Sequence, residues 1–338
     1  MICIVLILIF MGEIMTERII RAVVLCLAAV TMIGSQAIYA ANLPVLFKIF
    51  DGNRYGFINA AGKVIVKPSF NEAGDFFENL CAVKVNDRWG FINAGGKMVI
   101  SPQFDLARSF TEGLGLVNIK GKFGFIDSTG KIIIPPQFTM SWGFTDGVAR
   151  IWADSLFGYV DRTGKIFVKP QYRDAGKFAE GLAAVKVNDK YGYIDKAGNI
   201  VIPPRFTFAF MFAEGLAPVS DGKYGFIDKT GKNIIPYRFD QALNFSEGLA
   251  AVVMNGKYGF VDKTGKMIVP PQFDSAWNFS EGYALVKNGD KYGYIDRDGR
   301  LVIKPQFEDA KVFSSGIALV KTEGKWCYIN KAGKFIYK

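Results

Sequence analysis

The sequence predicts an all-β protein made of nine tandem copies of a three-stranded antiparallel meander. The first observation is a recurring step in which an aromatic residue precedes Gly, at a spacing of 34 residues except for one interval of 33. The second is that each copy contains three short β-branched and aromatic runs, which suit strands. The third is that turn-forming residues separate these runs at fixed positions. Self-similarity at a fixed period indicates a repeat array, here over residues 45–338.

The leader, residues 1–40, differs from everything that follows. A charged start with Arg18 and Arg21 precedes an apolar run at 22–33, and small residues follow it. This pattern is typical of a secretory signal peptide, whose natural start is Met15. An uncleaved membrane anchor is the alternative, because the apolar stretch is almost long enough to span a bilayer. We therefore expect an exported protein that is periplasmic, on the cell surface or extracellular, and that meets a membrane only through an uncleaved leader.

Two turns with characteristic residues divide each unit into three strands. In unit five the runs are LAAVKV, KYGYID and NIVIPPRF. The first two runs are joined by Asn188-Asp189, a composition preferred in two-residue hairpins. The second turn has Asx first and Gly fourth in all nine units, as in Asp195 and Gly198. An Asx side chain bonds the turn backbone and Gly accepts the left-handed conformation, so the unit is a meander.

The linkers between units are equally regular. Seven of them begin with Pro, and all eight run through an aromatic and a small residue to a Phe: Phe76, Phe110, Phe144, Phe178, Phe212, Phe245, Phe279 and Phe313. Eight Phe residues at one structural position cannot all serve catalysis, so we interpret them as wedges that seal unit to unit. Replacing a fully buried one with Ala should cost about 3–5 kcal/mol.

The first strand carries a further constraint. Its second residue is always small in units two to nine: Cys81, Gly115, Ala149, Ala183, Ala217, Ala250, Ala284 and Ala318. A small side chain lets another group approach closely, which suits strands crowded near an axis. Together with the linker path, this favours a propeller-like toroid. An open β-solenoid is the alternative, because nine blades are many and each unit is short for a blade.

The phrases KYGFIDKTGK (223–232) and FSEGLAAV (245–252) resemble the WG-repeat family, also called KWG. The resemblance covers residues 45–338 and nine copies make it specific, although Trp opens the step only at Trp89 and Trp326. The family is a repeat array found in many bacterial proteins, often exported. The resemblance therefore implies the architecture and an exported bacterial protein, and it implies no catalytic residue.

Composition excludes several chemistries. The absence of His removes the commonest general base and the commonest transition-metal ligand. Cys81 and Cys327 lie too far apart for a zinc signature, and Cys81 is expected to be a small buried thiol. A calcium loop at 296–299 would lack the late Glu that such a loop needs. We expect no metal and no cofactor.

The charge pattern points to anionic partners without a nucleic-acid arm. The formal net charge is +10, but Lys and Arg do not form runs. They form two columns, one before the aromatic–Gly step and one after the turn Gly. These columns are either solvated turn residues or two basic rims that hold an anionic polymer. The recurrent carboxylates, at turn starts and before the linker Gly, are expected to be structural.

Function should concentrate where one unit deviates from its siblings. Unit four carries Trp142 in its linker and Arg150 and Trp152 in its first strand, and unit eight adds Trp277 in its linker. Trp and Arg are favoured at binding hot spots, although packing is the alternative role for each. We expect a non-enzymatic scaffold that binds a protein or a cell-envelope polymer. The alternatives are a polysaccharide hydrolase or lyase and a membrane-anchored envelope assembly factor; the oligomeric state is open.

Overall fold

The computed structural model describes residues 45–337, which form 34 strands and no helix. The strands make nine antiparallel sheets, one for each sequence repeat. The predicted leader, its cleavage and the alternative anchor fall outside the described residues. Within those residues we found no helix long and apolar enough to cross a membrane.

Blade 1 comprises β1 (Leu46–Phe50), β2 (Tyr55–Asn59) and β3 (Val64–Phe70). Blade 2 comprises β4 (Glu72–Ala73), β5 (Leu80–Val85), β6 (Arg88–Asn93) and β7 (Met98–Phe104). Blade 3 comprises β8 (Leu106–Thr111), β9 (Leu114–Ile119), β10 (Lys122–Ile126) and β11 (Ile132–Phe138). Blade 4 comprises β12 (Met140–Ser141), β13 (Val148–Ala153), β14 (Leu156–Asp161) and β15 (Ile166–Tyr172). Blade 5 comprises β16 (Leu182–Val187), β17 (Lys190–Asp195) and β18 (Ile200–Phe206).

Blade 6 comprises β19 (Phe208–Ala209), β20 (Leu216–Ser220), β21 (Tyr224–Asp228) and β22 (Asn233–Phe239). Blade 7 comprises β23 (Gln241–Ala242), β24 (Leu249–Met254), β25 (Lys257–Asp262) and β26 (Met267–Phe273). Blade 8 comprises β27 (Ser275–Ser280), β28 (Tyr283–Asn288), β29 (Lys291–Ile295) and β30 (Leu301–Phe307). Blade 9 comprises β31 (Asp309–Ala310), β32 (Ile317–Thr322), β33 (Lys325–Asn330) and β34 (Phe335–Tyr337).

The predicted turns are confirmed in the backbone. Asn188 and Asp189 have φ values of 46° and 64°, as a type I′ hairpin turn requires. In the second turn the carboxylate of Asp195 accepts hydrogen bonds from the amides of Ala197 (2.9 Å) and Asn199 (2.8 Å). Gly198 follows with φ of 85°. The amide of Asn199, with the other donors of the turn, lowers the pKa of Asp195.

The Gly of the aromatic–Gly step is required by a bulge in the neighbouring strand. In blade 5, Tyr191 pairs with Phe206 and Tyr193 pairs with Ile202, so β18 has extra residues opposite Gly192. A Cβ atom on Gly192 would lie 2.5 Å from the Ile202 carbonyl oxygen. The same register shift accompanies the Gly in blades 1 to 8. In blade 9, where Cys replaces this Gly, β34 ends before the bulge position.

The hydrophobic core lies between blades and closes the ring. Nine clusters of buried apolar side chains are present in the described part of the chain. Each cluster joins one blade to the next, and one joins blade 9 to blade 1. The propeller-like toroid is therefore confirmed, as a nine-bladed β-propeller, and the open solenoid is excluded.

The predicted wedge role of the linker Phe residues is also confirmed. Each ring contacts the central aromatic residue of the preceding blade, with centroids 4.7 to 5.0 Å apart: Phe57–Phe76, Phe91–Phe110, Phe125–Phe144, Tyr159–Phe178, Tyr193–Phe212, Phe226–Phe245, Phe260–Phe279 and Tyr294–Phe313. The small residue of the first strand makes room for this ring. A Cβ on Gly115 would lie 2.7 Å from the ring of Phe110. The close approach that we predicted is thus made by the wedge within the same blade.

The linkers lie at the inner edge of the ring. In seven sheets the linker adds a short fourth strand to the predicted meander, next to the first strand. Linkers of neighbouring blades also contact one another, as when the Ser246 hydroxyl donates to the Phe279 carbonyl oxygen at 2.8 Å. Sheets in a ring approach each other most closely toward its centre, so we place the linker edge there. The third strands, with their exposed residues, form the rim.

Candidate functional site

The predicted residues Trp142 and Arg150 come together on blade 4. The amide of Trp142 donates to the Arg150 carbonyl oxygen at 3.1 Å, which holds the linker against β13. The Arg150 guanidinium carbon lies 4.1 Å from the centroid of the Trp142 ring and 4.9 Å from that of Phe157. The same guanidinium donates to the carbonyl oxygen of Ala175 in the linker to blade 5. Its position is therefore fixed by two rings and one carbonyl.

Trp152 extends this group along β13. It lies two residues after Arg150, so the two side chains share one face of the strand. In the β12–β13 register Trp152 is paired with Met140, whose side chain is 43% exposed. We call Met140, Trp142, Arg150 and Trp152 the blade 4 patch. Three of its four members were predicted from the sequence, and Met140 was missed.

A cleft of about 210 Å³ opens beside the patch, between the linkers of blades 4 and 5. It is lined by Trp142, Gly143, Thr145, Val148, Arg150, Lys177 and Phe178. Burial lowers the pKa of Arg150 from its usual value, with the nearby Tyr159 and Asp174 acting in the opposite direction. Since an Arg pKa starts far above neutrality, the side chain remains a cation at pH 7.

Trp277, the fourth predicted residue, is not part of this group. It lies in β27 of blade 8, is 38% exposed and contacts the ring of Tyr292 at 5.8 Å. It repeats the Trp142–Phe157 contact of blade 4, where the centroids are 5.7 Å apart. It stands alone because the residue matching Arg150 in blade 8 is Leu285.

Sequence reasoning also missed an aromatic pair in the linker of blade 6. Phe208 and Phe210 are 55% and 43% exposed, and they contact the rings of Tyr191 and Tyr224, respectively. The sequence did contain a pattern that could have identified this pair, because the two residues precede the wedge Phe212 by four and two residues. Those are the linker positions that Met140 and Trp142 occupy in blade 4.

The carboxylates in the turn before the first strand, each followed by Gly except Glu78, form a structural collar. Each accepts a hydrogen bond from the Gly amide in the corresponding turn of the next blade: Glu78, Glu112, Asp146, Glu180, Glu214, Glu247 and Glu281. Glu214 also pairs with Lys263 at 3.0 Å. Partial burial of Glu214 opposes its ionisation, but Lys263 and the Gly248 amide outweigh this and lower its pKa. These acids are bound to neighbouring blades, as predicted for a structural role.

The two basic columns differ in charge neutralisation. Four members of the column before the aromatic–Gly step form ion pairs: Arg88–Asp105, Lys190–Asp221, Lys223–Asp240 and Lys257–Asp274. In the column after the turn Gly, Arg300 pairs with Asp298. Its seven lysines make no ion pair with another residue in the described range. The lysines of the second column are therefore more available than the first column to bind an anionic partner.

Cys81 is buried, as expected, and its burial raises the pKa of the thiol to about 12. Between residues 45 and 337, no three acidic or Cys side chains lie close enough together to hold a metal ion.

One of the solved structures compared with this chain has a similar fold over most of both chains. A crystal structure of a eukaryotic initiation factor superposes with a TM-score of 0.62 at 12% identity, covering 86% of this chain and 95% of that one. The dihydro-heme d1 dehydrogenase NirN in complex with DHE gives 0.46 at 12% identity, covering 86% and 75%. BamB from Moraxella catarrhalis gives 0.39 at 12% identity, covering 75% and 92%. Identities this low concern the fold alone.

Comparison with protein families and curated proteins completes the assignment. No curated protein matches the sequence significantly. The family described as WG containing repeat matches eight segments: 55–89, 89–123, 123–151, 157–191, 191–223, 224–258, 258–292 and 292–326. Those segments take in most of the chain, and most of them run from one aromatic–Gly step to the next, that is, from the middle strand of one blade to that of the following blade. The protein is a member of the WG-repeat family.

Proposed function

We propose that this protein is an exported, non-enzymatic scaffold that binds a partner protein through the blade 4 patch. The observation that carries the proposal is the meeting of Met, two Trp and Arg at the inner edge of one blade. In blade 5 the four matching positions hold Asp174, Gly176, Ala184 and Lys186. Aromatic residues, Met and Arg are enriched in protein interfaces, and Trp and Arg dominate their hot spots.

The side chains of the blade 4 patch are held in place in the protein without a partner. Arg150 is held by the Trp142 and Phe157 rings and by the Ala175 carbonyl oxygen. A side chain that is already ordered loses little conformational entropy on binding. This preorganisation supports a recognition role, because seven of the other eight blades pack with a small or apolar residue at the Arg150 position.

The arrangement of carboxylates favours binding over hydrolysis. A glycoside hydrolase needs two carboxylates that face one substrate bond. The collar acids instead accept hydrogen bonds from neighbouring turns, and no acid lines the cleft beside the patch. The proposal of export rests on the signal-peptide pattern of residues 1–40, and a cell-envelope polymer is the alternative ligand.

The test is affinity capture from a cell-envelope fraction with the purified protein, wild type against Arg150→Ala/Trp152→Ala. The control is Lys287→Ala/Lys321→Ala, which changes the positions matching Trp152 in blades 8 and 9. We expect the wild type and the control to retain the same discrete protein, and the patch variant to lose it. Retention of that protein by the patch variant would contradict the proposal. So would retention of material that survives protease, which would point to a polymer.

A further inference from the structure

One position of the first strand sends its side chain toward the linker of the next blade. The nine residues at this position are Lys48, Ala82, Leu116, Arg150, Ala184, Pro218, Ala251, Leu285 and Leu319. Lys48 and Arg150 are the charged ones, and both donate to the carbonyl oxygen of a linker Ala: Lys48 to Ala73 at 3.1 Å, and Arg150 to Ala175. Blades 1 and 4 thus place a cation at equivalent joints.

The two joints differ in what faces the cation. At the first joint Asp75 lies 3.3 Å from the Lys48 ammonium and neutralises it. At the second joint the residue that matches Asp75 is Lys177, which lines the cleft together with Arg150. Among the described residues no acid forms an ion pair with Arg150. Asp174 is the acid that acts on it from a distance, and its carboxylate accepts a hydrogen bond from the Tyr191 hydroxyl.

The cleft therefore concentrates positive charge in a partly enclosed space. Arg150 and Lys177 supply two cations, Thr145 supplies a hydroxyl group, and Trp142 and Phe178 supply apolar walls. The Nε atom of Arg150 is buried, and it donates a hydrogen bond to no described residue. A guanidinium group makes a strong, charge-assisted hydrogen bond to a carboxylate that reaches it.

We infer that this cleft binds a carboxylate of the partner, supplied by an acidic side chain of a peptide segment. The inference rests on the proposed function and adds the chemistry of its central contact. A volume of about 210 Å³ admits a side-chain carboxylate with its methylene groups, and it is small for a whole ligand. The flanking Met140 in β12 and Trp152 in β13 extend the site along these paired strands, as an extended peptide requires.

The test measures binding of poly-L-glutamate by tryptophan fluorescence with full-length wild type, Lys177→Asp and Lys169→Asp. The first variant recreates the Lys48–Asp75 arrangement. The second makes the same charge change on the exposed rim strand β15. We expect Lys177→Asp to raise the dissociation constant by about tenfold or more, since a charge-assisted contact becomes repulsive, and Lys169→Asp to change it little. Both variants should keep the wild-type melting temperature, because both lysines are exposed and have no ion pair among the described residues.

Equal weakening in both variants would overturn the inference, because net charge alone would then explain binding. Unchanged binding by Lys177→Asp would also overturn it. Tighter binding of polygalacturonate than of poly-L-glutamate would assign the cleft to an acidic polysaccharide and overturn the peptide assignment. Envelope capture separates this inference from the proposed function. If Lys177→Asp retains the partner that Arg150→Ala/Trp152→Ala loses, the scaffold function stands and the carboxylate site fails.

Discussion

Phe212 illustrates how single residues hold this molecule together. Its side chain is 1% exposed and its ring lies 4.9 Å from that of Tyr193 in the preceding blade. Phe210, two residues earlier in the same linker, is 43% exposed. One linker therefore presents one Phe to the core and one to the inner edge of the ring.

Replacing Phe212 with Ala should lower the free energy of unfolding by about 3–5 kcal/mol, because a fully buried ring leaves a cavity between two blades. Phe210→Ala should change it by less than about 1 kcal/mol, since this side chain is 43% exposed and its loss leaves no enclosed cavity. Chemical denaturation of both variants measures the difference. Equal stabilities would show that the linker Phe is not a wedge.

At the same scale, the sequence could single out Trp142 and Arg150 because they break a pattern that the other units keep. It could not single out Lys177, which is an ordinary charged linker residue when read alone. Lys177 matters because it lies opposite Arg150 across the joint between two blades. The equivalent joint between blades 1 and 2 has an acid at that position. Such a contact depends on how two blades dock, and the sequence of either blade does not contain it.

At the scale of elements, the aromatic–Gly step and the bulge depend on each other. The chain of the third strand presses against the middle strand at the Gly, where there is no side chain to meet it. The bulge then turns the third strand toward the linker. The step recurs because this contact recurs, independently of any ligand.

Gly192→Ala should destabilise blade 5 by about 1–3 kcal/mol or more, because the new Cβ would lie 2.5 Å from a backbone oxygen. Gly176→Ala, in the linker of the same blade, is the matched control. Its Cβ would meet its nearest neighbour at 3.6 Å, an ordinary contact. Thermal melts that rank Gly176→Ala below Gly192→Ala would contradict this account.

The strands of each meander were predictable because β-branched runs and fixed turn residues mark them locally. The fourth strand was not predicted. In most blades it is two residues long, as in β4 and β12. A ladder this short leaves no periodic pattern, and it forms because the linker lies beside the first strand of its own blade.

At the scale of the whole molecule, closure depends on the small rotation between successive blades, which no single repeat encodes. The closing joint also differs from the others. Within the described residues, the cluster between blades 9 and 1 has four buried side chains, Ile49, Ile58, Ile317 and Tyr328, whereas each other cluster has eight to ten. The Tyr328 hydroxyl donates across this joint to the Lys48 carbonyl oxygen at 2.7 Å.

We therefore expect the ring to open first between blades 9 and 1, because local opening follows the amount of buried apolar contact. Amide hydrogen exchange in β2 and β33 should be faster than in β21 and β17. Tyr328→Phe should accelerate exchange at the closing joint more than Tyr193→Phe does at its own, although each removes a bond of 2.7 Å. Uniform protection around the ring would contradict this expectation.

The collar has a consequence for how such a gene can change. Every interior module brings the phenylalanine that seals it to its predecessor and the acid that caps its successor. An in-frame duplication of one module would therefore create a complete new junction without any compensating substitution. A product with one more or one fewer module would close only if the rotation between successive blades adjusted to the new number of blades.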